Sequence, residues 1–197
     1  MNEQREKFDL QKIIRILTLP SLMALLEIVI FRIAAPEYFK NGADLIVYLG
    51  SLGFLPLLSY ALQPVIPGFR GKGRRGQRNL AMLASVIGYT IVFVYACIAK
   101  VSEPLFVIAL TYFLSGILIL FFNKGIKIRA SGHASGVTGP IAVLSYYLGP
   151  IMLLGTLLLP FVYRASLVMK RHTMRELLFG SMIPLFAFLC AKVILWI

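Results

Sequence analysis

Apolar runs of about 20 residues recur along this chain, and short segments rich in lysine and arginine separate them. A helix needs about 20 such residues to cross roughly 30 Å of hydrocarbon. Lipid offers unpaired backbone groups no partner, so a run of this length can cross only as a helix. The alternation that marks an outer-membrane barrel is absent. The runs fall at 16–34, 44–66, 79–99, 104–122, 134–149, 150–169 and 176–196. The expected fold is therefore all-α, a polytopic transmembrane bundle of six to seven spans. The first run contains Pro20 and Glu27, so it reads either as a crossing or as a re-entrant or interfacial helix. Segment 134–149 is short, and only the Gly149-Pro150 turn signal divides it from the next run.

Composition agrees. Of 197 residues, 59% are hydrophobic and 14% charged, with mean hydropathy +0.84. A soluble domain carries about 25% charged residues, so there is too little polar surface here to coat a globule in water. The length allows one bundle, divided at the sequence level into N-terminal hydrophobic segments with a basic loop (1–78) and a membrane core (79–197). A net charge of +12 raises the question of nucleic acid. The cations sit in gaps between apolar runs rather than on a folded basic surface, so no nucleic-acid partner is expected. Cys97 and Cys190 lie inside apolar runs and read as small core residues. Eight acidic residues supply no cluster for a metal, and no cofactor is expected. No cleavage site follows a short apolar run near the N-terminus, so no removable signal peptide is expected.

The basic residues set an expected orientation. Arg5, Lys7, Lys12 and Arg15 precede the first run, and Arg70, Lys72, Arg74, Arg75 and Arg78 crowd 67–78, which reads as a flexible basic loop touching anionic headgroups. Lys124, Lys127 and Arg129 lie in 123–133, and Arg164, Lys170, Arg171 and Arg175 lie around the last turn. With seven spans, all four groups fall on one side, which the positive-inside rule makes cytoplasmic. The N-terminus is then inside and the C-terminus outside.

Two histidines stand on that side, His133 in Ser131-Gly132-His133 and His172 in Lys170-Arg171-His172. A lone histidine at a helix end is ordinarily just an interfacial polar residue. Two on one face, each among cations, suit phosphoryl transfer, where catalysis is largely positioning and neutralisation of spread negative charge. Ser131-Gly132-His133 opens a helix whose first N–H groups can cradle phosphate. A neutral His172 can attack phosphorus, and an imidazolium at His133 can protonate a departing alkoxide. Glu176, at i+4 from His172, can orient that imidazole. Thr173-Met174-Arg175-Glu176 is equally a capping box, and the two roles are compatible. Ser135, Gly136, Thr138 and Gly139 read as close helix packing. Glu27 should face the bundle interior or water.

Together these residues resemble the type 2 phosphatidic acid phosphatase superfamily of membrane phosphatases, over residues 79–197. That family's pattern is Lys-x6-Arg-Pro, then Pro-Ser-Gly-His, then Ser-Arg-x5-His-x3-Asp. Ser131-Gly132-His133 matches the second motif, with Ala130 in place of proline. His172-x3-Glu176 matches the end of the third, with glutamate for aspartate. Ser166 stands where the third-motif arginine belongs, with Arg164 and Arg171 out of register, and the first motif is missing. The resemblance implies a helical core with its motifs at one face, His172 as nucleophile and His133 as proton donor. Phosphate would bind among Lys124, Lys127, Arg129, Ser131, Gly132, Arg164 and Arg171. The expected function is a metal-independent phosphatase of the cell membrane. It would act on a polyprenyl or glycerolipid phosphate or diphosphate from the cytoplasmic side, through a phosphohistidine. Phosphotransfer to another lipid, and non-catalytic lipid binding or transport by a decayed site, are the alternatives.

Overall fold

The computed structural model describes residues 2–196, with side chains from Leu10 to Trp196. Among these residues there are helices and no strands. Helix α1 (Asn2–Leu17) leads into α2 (Pro20–Ala34) through a 49° bend. Proline causes the break. Pro20 lacks an N–H to extend the ladder and holds Leu19 outside the helical region, at φ −57° and ψ 137°. The Thr18 hydroxyl donates to the Ile14 carbonyl at 2.7 Å, satisfying a carbonyl at the end of α1.

Six more helices follow: α3 (Gly42–Leu62), α4 (Gly73–Ala99), α5 (Glu103–Gly125), α6 (Gly132–Leu148), α7 (Pro150–Val168) and α8 (Met174–Trp196). Helices α3, α4, α5, α7 and α8 are each long and apolar enough to cross a membrane, and the bent α1–α2 pair makes a sixth if it counts as one span. The remaining apolar run is α6. Its 17 residues reach only about 25 Å at 1.5 Å per residue. Helix α7 begins as a 3₁₀ stretch over Pro150–Leu157, whose rise of about 2.0 Å per residue lengthens a 19-residue element.

Two sequence expectations change here. The basic stretch 67–78 is only partly a loop: α4 starts at Gly73, so Arg74, Arg75 and Arg78 project from its first turns. Gly68, Gly71 and Gly73 all have positive φ, and these turns let the connection close before that point. Cys97 is exposed on α4 rather than in the core.

Helix α8 packs against both α5 and α6, α4 lies between α3 and α5, and α2 sits against α6 and the π-helical middle of α3 (Leu49–Phe54). Helix α1 runs along α7, and α2 contributes Ala24, Ile28 and Phe31 to the core. Small residues permit the close crossings. A Cβ on Gly136 would run into Pro20, and Gly139 faces Pro184. Leu153, Leu154, Leu157 and Phe161 of α7 and Met182, Phe186 and Leu189 of α8 point outward, the arrangement of a surface solvated by lipid. Glu27, fully buried on α2, accepts a 2.6 Å hydrogen bond from the Tyr112 hydroxyl on α5.

Candidate active site

The site is assembled at the end of the bundle where α1 and α7 finish and α6 and α8 begin. Helix α7 ends in a Schellman arrangement: the Arg171 N–H donates to the Ser166 carbonyl and the Lys170 N–H to the Leu167 carbonyl, both at 2.9 Å. Lys170 takes the left-handed position usually given to glycine, at φ 50°. The reversal presents His172 just ahead of α8.

Helix α8 opens with the expected capping box. The Glu176 N–H donates to Thr173 Oγ1, and the Thr173 N–H donates to Glu176 Oε2, both at 3.3 Å. The same Oε2 accepts from His172 Nδ1 at 2.8 Å. The capping contacts and the contact to the imidazole foreseen for Glu176 are therefore made together. With Nδ1 donating to the carboxylate, the Nε2 lone pair is left free. Burial lowers the pKa of His172 from its ordinary value. Glu176 opposes that shift, while Arg129 and Arg15 reinforce it. The lowering favours the neutral ring, the form a nucleophile requires.

Glu176 also joins the neighbouring elements. Its Oε1 pairs with Arg129 Nη1 at 3.3 Å, and its carbonyl accepts the Ser131 N–H at 3.0 Å. A Cβ at Gly180, one turn on, would run into the Ser131 backbone, so glycine there is what lets α8 approach the start of α6. Asn123 closes the 123–130 loop from inside. Its Oδ1 accepts the Ala130 N–H at 3.0 Å and its amide donates to the Ala130 carbonyl at 3.3 Å, which holds Arg129 toward the turn. Arg129 then donates to the Arg171 carbonyl at 3.2 Å.

An open cleft of ≈ 350 Å³ results, lined by Arg129, Lys170, Arg171, His172 and Glu176. A larger hollow of ≈ 560 Å³ lies on the outward face of α4, but its walls are almost entirely apolar. Arg171 brings a buried Nε with no hydrogen-bond partner to the cleft.

The start of α6 differs from expectation in one respect. Ser131 is fully buried, its amide engaged by Glu176 and its hydroxyl accepting the Ala134 N–H at 3.4 Å. The Gly132 and His133 amides form no hydrogen bond among the described residues, and the space beside Gly132 is open. Any phosphate cradle is thus made from Gly132 and His133, without Ser131.

His133 is held by a residue that no motif picked out. Arg15, at the end of α1, places Nη2 3.4 Å from His133 Nδ1, and its carbonyl lies 3.3 Å from His133 Nε2. A donor at Nδ1 and an acceptor at Nε2 suit the neutral ring. Burial, with Arg15 adding to it, pushes the His133 pKa down to about 3. The imidazolium expected at His133 is therefore not its resting state. Arg15 Nη1 also donates to Ser166 Oγ at 2.6 Å. The two histidines are close enough to influence each other electrostatically.

The remaining expected phosphate ligands stand apart. Arg164 is exposed; two residues from Ser166 means about 200° around α7, so it points away from the face that meets Arg15. Lys124 and Lys127 are exposed and make no polar contact among the described residues. No group of three or more His, Cys, Asp or Glu converges anywhere among the described residues. Comparison with protein-family profiles, with curated proteins and with solved structures returns no match to this chain.

Proposed function

We propose that this chain is an integral membrane phosphatase that hydrolyses a lipid phosphate or diphosphate, of polyprenyl or glycerolipid type, through a phosphohistidine. The observation that carries the reading is the 2.8 Å contact of His172 Nδ1 with Glu176, which frees Nε2 beside a cleft walled by Arg129, Lys170 and Arg171. With a monophosphate, Nε2 attacks phosphorus and the bond to the lipid oxygen breaks; with a diphosphate, Nε2 attacks the terminal phosphorus and the lipid monophosphate departs. Cations neutralise the charge spreading over the phosphoryl oxygens. The leaving alkoxide takes a proton from His133. That ring is neutral at rest, and the negative charge of a bound phosphate favours its protonation. Water then cleaves the phosphorus–nitrogen bond and releases phosphate.

In this reading the bundle crosses the cell membrane with its cation-rich end in the cytoplasm, as the positive-inside rule requires. The short α6 completes a seventh crossing inside the ring of longer helices. Phosphotransfer differs only in that a second lipid replaces water as acceptor. A non-catalytic reading, lipid binding or transport, draws on a separate observation: Arg15 engages both ring nitrogens of His133.

The test is phosphate release from a panel of lipid phosphates by purified protein in detergent with EDTA present, wild type beside His172→Ala. Release by wild type alone supports the phosphatase. No release from any lipid by folded protein overturns it in favour of binding or transport.

A further inference from the structure

We infer that Arg15 of the N-terminal helix is a phosphate-binding residue of this site, so that the substrate pocket is complete only when α1 is docked on α7. The inference rests on reading the site as one for a lipid phosphate, and it adds a ligand from outside the region that carries the family resemblance.

The argument begins with an imbalance of charge. Arg15 is partly buried, yet its two hydrogen-bonding partners are neutral, the Ser166 hydroxyl and the His133 ring. Among the described residues no carboxylate pairs with it. Arg74, another cation, lies close enough to act on it. A guanidinium drawn partly out of water without an anion is unfavourable until a counter-charge arrives. Arg171 repeats the pattern with a buried, unpartnered Nε. Glu176 is the carboxylate at hand, and His172, Thr173 and Arg129 already occupy it. The centre therefore has an excess of donors and of positive charge with nothing on the protein to absorb it.

Geometry then says where an anion fits. A guanidinium carries five N–H donors. Ser166 and His133 engage two, which leaves three, enough for a fork on two phosphoryl oxygens. Ser166 holds the group from behind at 2.6 Å and sets its plane. Arg15 touches His133 and is near enough to His172 to act on it electrostatically, so an anion bound between the two rings would come within its reach. Lysine would supply the charge without the fork.

The experiment uses the full chain in detergent and reads two quantities, kcat and KM on the preferred lipid phosphate, and the rise in melting temperature caused by inorganic phosphate. Arg15→Gln should lower kcat/KM about 100-fold and abolish the rise, the size expected for losing charge-assisted hydrogen bonds to an anion. Arg15→Lys should recover part of both. Lys12→Gln, exposed on the same helix, should change neither. Retention of kcat/KM and of the phosphate-induced rise by Arg15→Gln overturns the inference, even if the phosphatase reading stands. Wild type that turns over no lipid but is stabilised by phosphate, with Arg15→Gln losing that stabilisation, keeps the inference and rejects the phosphatase. Should Arg15→Gln not fold, Arg15→Lys decides: full wild-type behaviour in both readouts overturns the inference, and a partial loss of both supports it.

Discussion

The two ends of the bundle handle charge in opposite ways. At the end away from the histidines, Lys192 Nζ donates to Glu103 at 2.6 Å, the Tyr147 hydroxyl donates to the same carboxylate at 2.7 Å, and the ammonium lies 4.7 Å from the Tyr146 ring centroid. Asp44 accepts from the Tyr95 hydroxyl at 2.7 Å and the Lys40 N–H at 2.8 Å, and the Lys40 ammonium donates to the Lys100 carbonyl. There Glu103 and Asp44 each have their donors, and Lys40 and Lys192 each have an acceptor. At the histidine end, Arg129, Lys170 and Arg171 line the cleft with one carboxylate, Glu176; the Arg171 Nε is buried without a partner, and Arg15 nearby meets only the neutral Ser166 and His133 side chains. Charge that closes on itself holds helix ends together. Charge left open in a buried setting is costly to maintain, which marks where a ligand belongs.

The sharpest way to break this contrast is to remove one group from each end. His172→Ala should lower turnover by about 10⁴-fold or more, since no other histidine lines the cleft to form the proposed phosphohistidine. Lys192→Gln should leave kcat within about twofold. Comparable losses from both would mean that the polarity of the two ends has no functional content.

A smaller effect is expected from Glu176→Gln, about 100-fold in kcat, because the carboxylate orients the ring without touching phosphorus. The pH profile sharpens this. Glu176 raises the His172 pKa against the lowering by burial, so its removal should carry the acid limb of kcat/KM to lower pH. A shift to higher pH would exclude the proposed role of Glu176.

Thermal melts against pH should separate the ends next. His133 has a folded-state pKa of about 3, against about 6.5 for a histidine in the unfolded chain. Below about pH 6.5 the unfolded chain binds more protons, so the stability this group contributes is present at neutral pH and lost as pH falls. Wild type should melt progressively lower from pH 7 to 5, and His133→Gln should flatten that slope. An unchanged slope in the variant would place the acid sensitivity elsewhere. The smallest effect belongs to the far end. Lys192→Gln should cost about 0.5 kcal/mol, measured by denaturation in detergent, because the pair is partly solvated.

Much of the architecture was legible because its causes are local. A long apolar run declares a helix, and Pro20 and Gly149-Pro150 stand where helices break. The run at 134–149 and its shortness were equally visible, but its interior place against α8 and α2 was not, since hydropathy does not encode which neighbours a helix meets. The start of α4 was misplaced for a related reason: arginines next to glycines read as loop, and here they begin a helix. Within the site, His172 and Glu176 could be paired from an i+4 spacing alone, and the structure places them 2.8 Å apart. Lys124, Lys127 and Arg164 were expected as ligands from their nearness in sequence to the motifs, and all three are exposed, Lys127 in the loop after α5.

The sequence by itself determined an all-helical chain solvated by lipid, the gathering of its cations and histidines in a few connecting segments, and a histidine–carboxylate pair, all of them consequences of hydropathy and of spacing within one turn. Only the tertiary structure decided which cation meets which histidine. Arg15 reaches His133 across 118 positions and Ser166 across 151. Such contacts depend on how α1 lies along α7 and how closely glycines let α6 and α8 approach. No local rule fixes that geometry, because backbone hydrogen bonding within a helix is indifferent to which neighbour its side chains will touch.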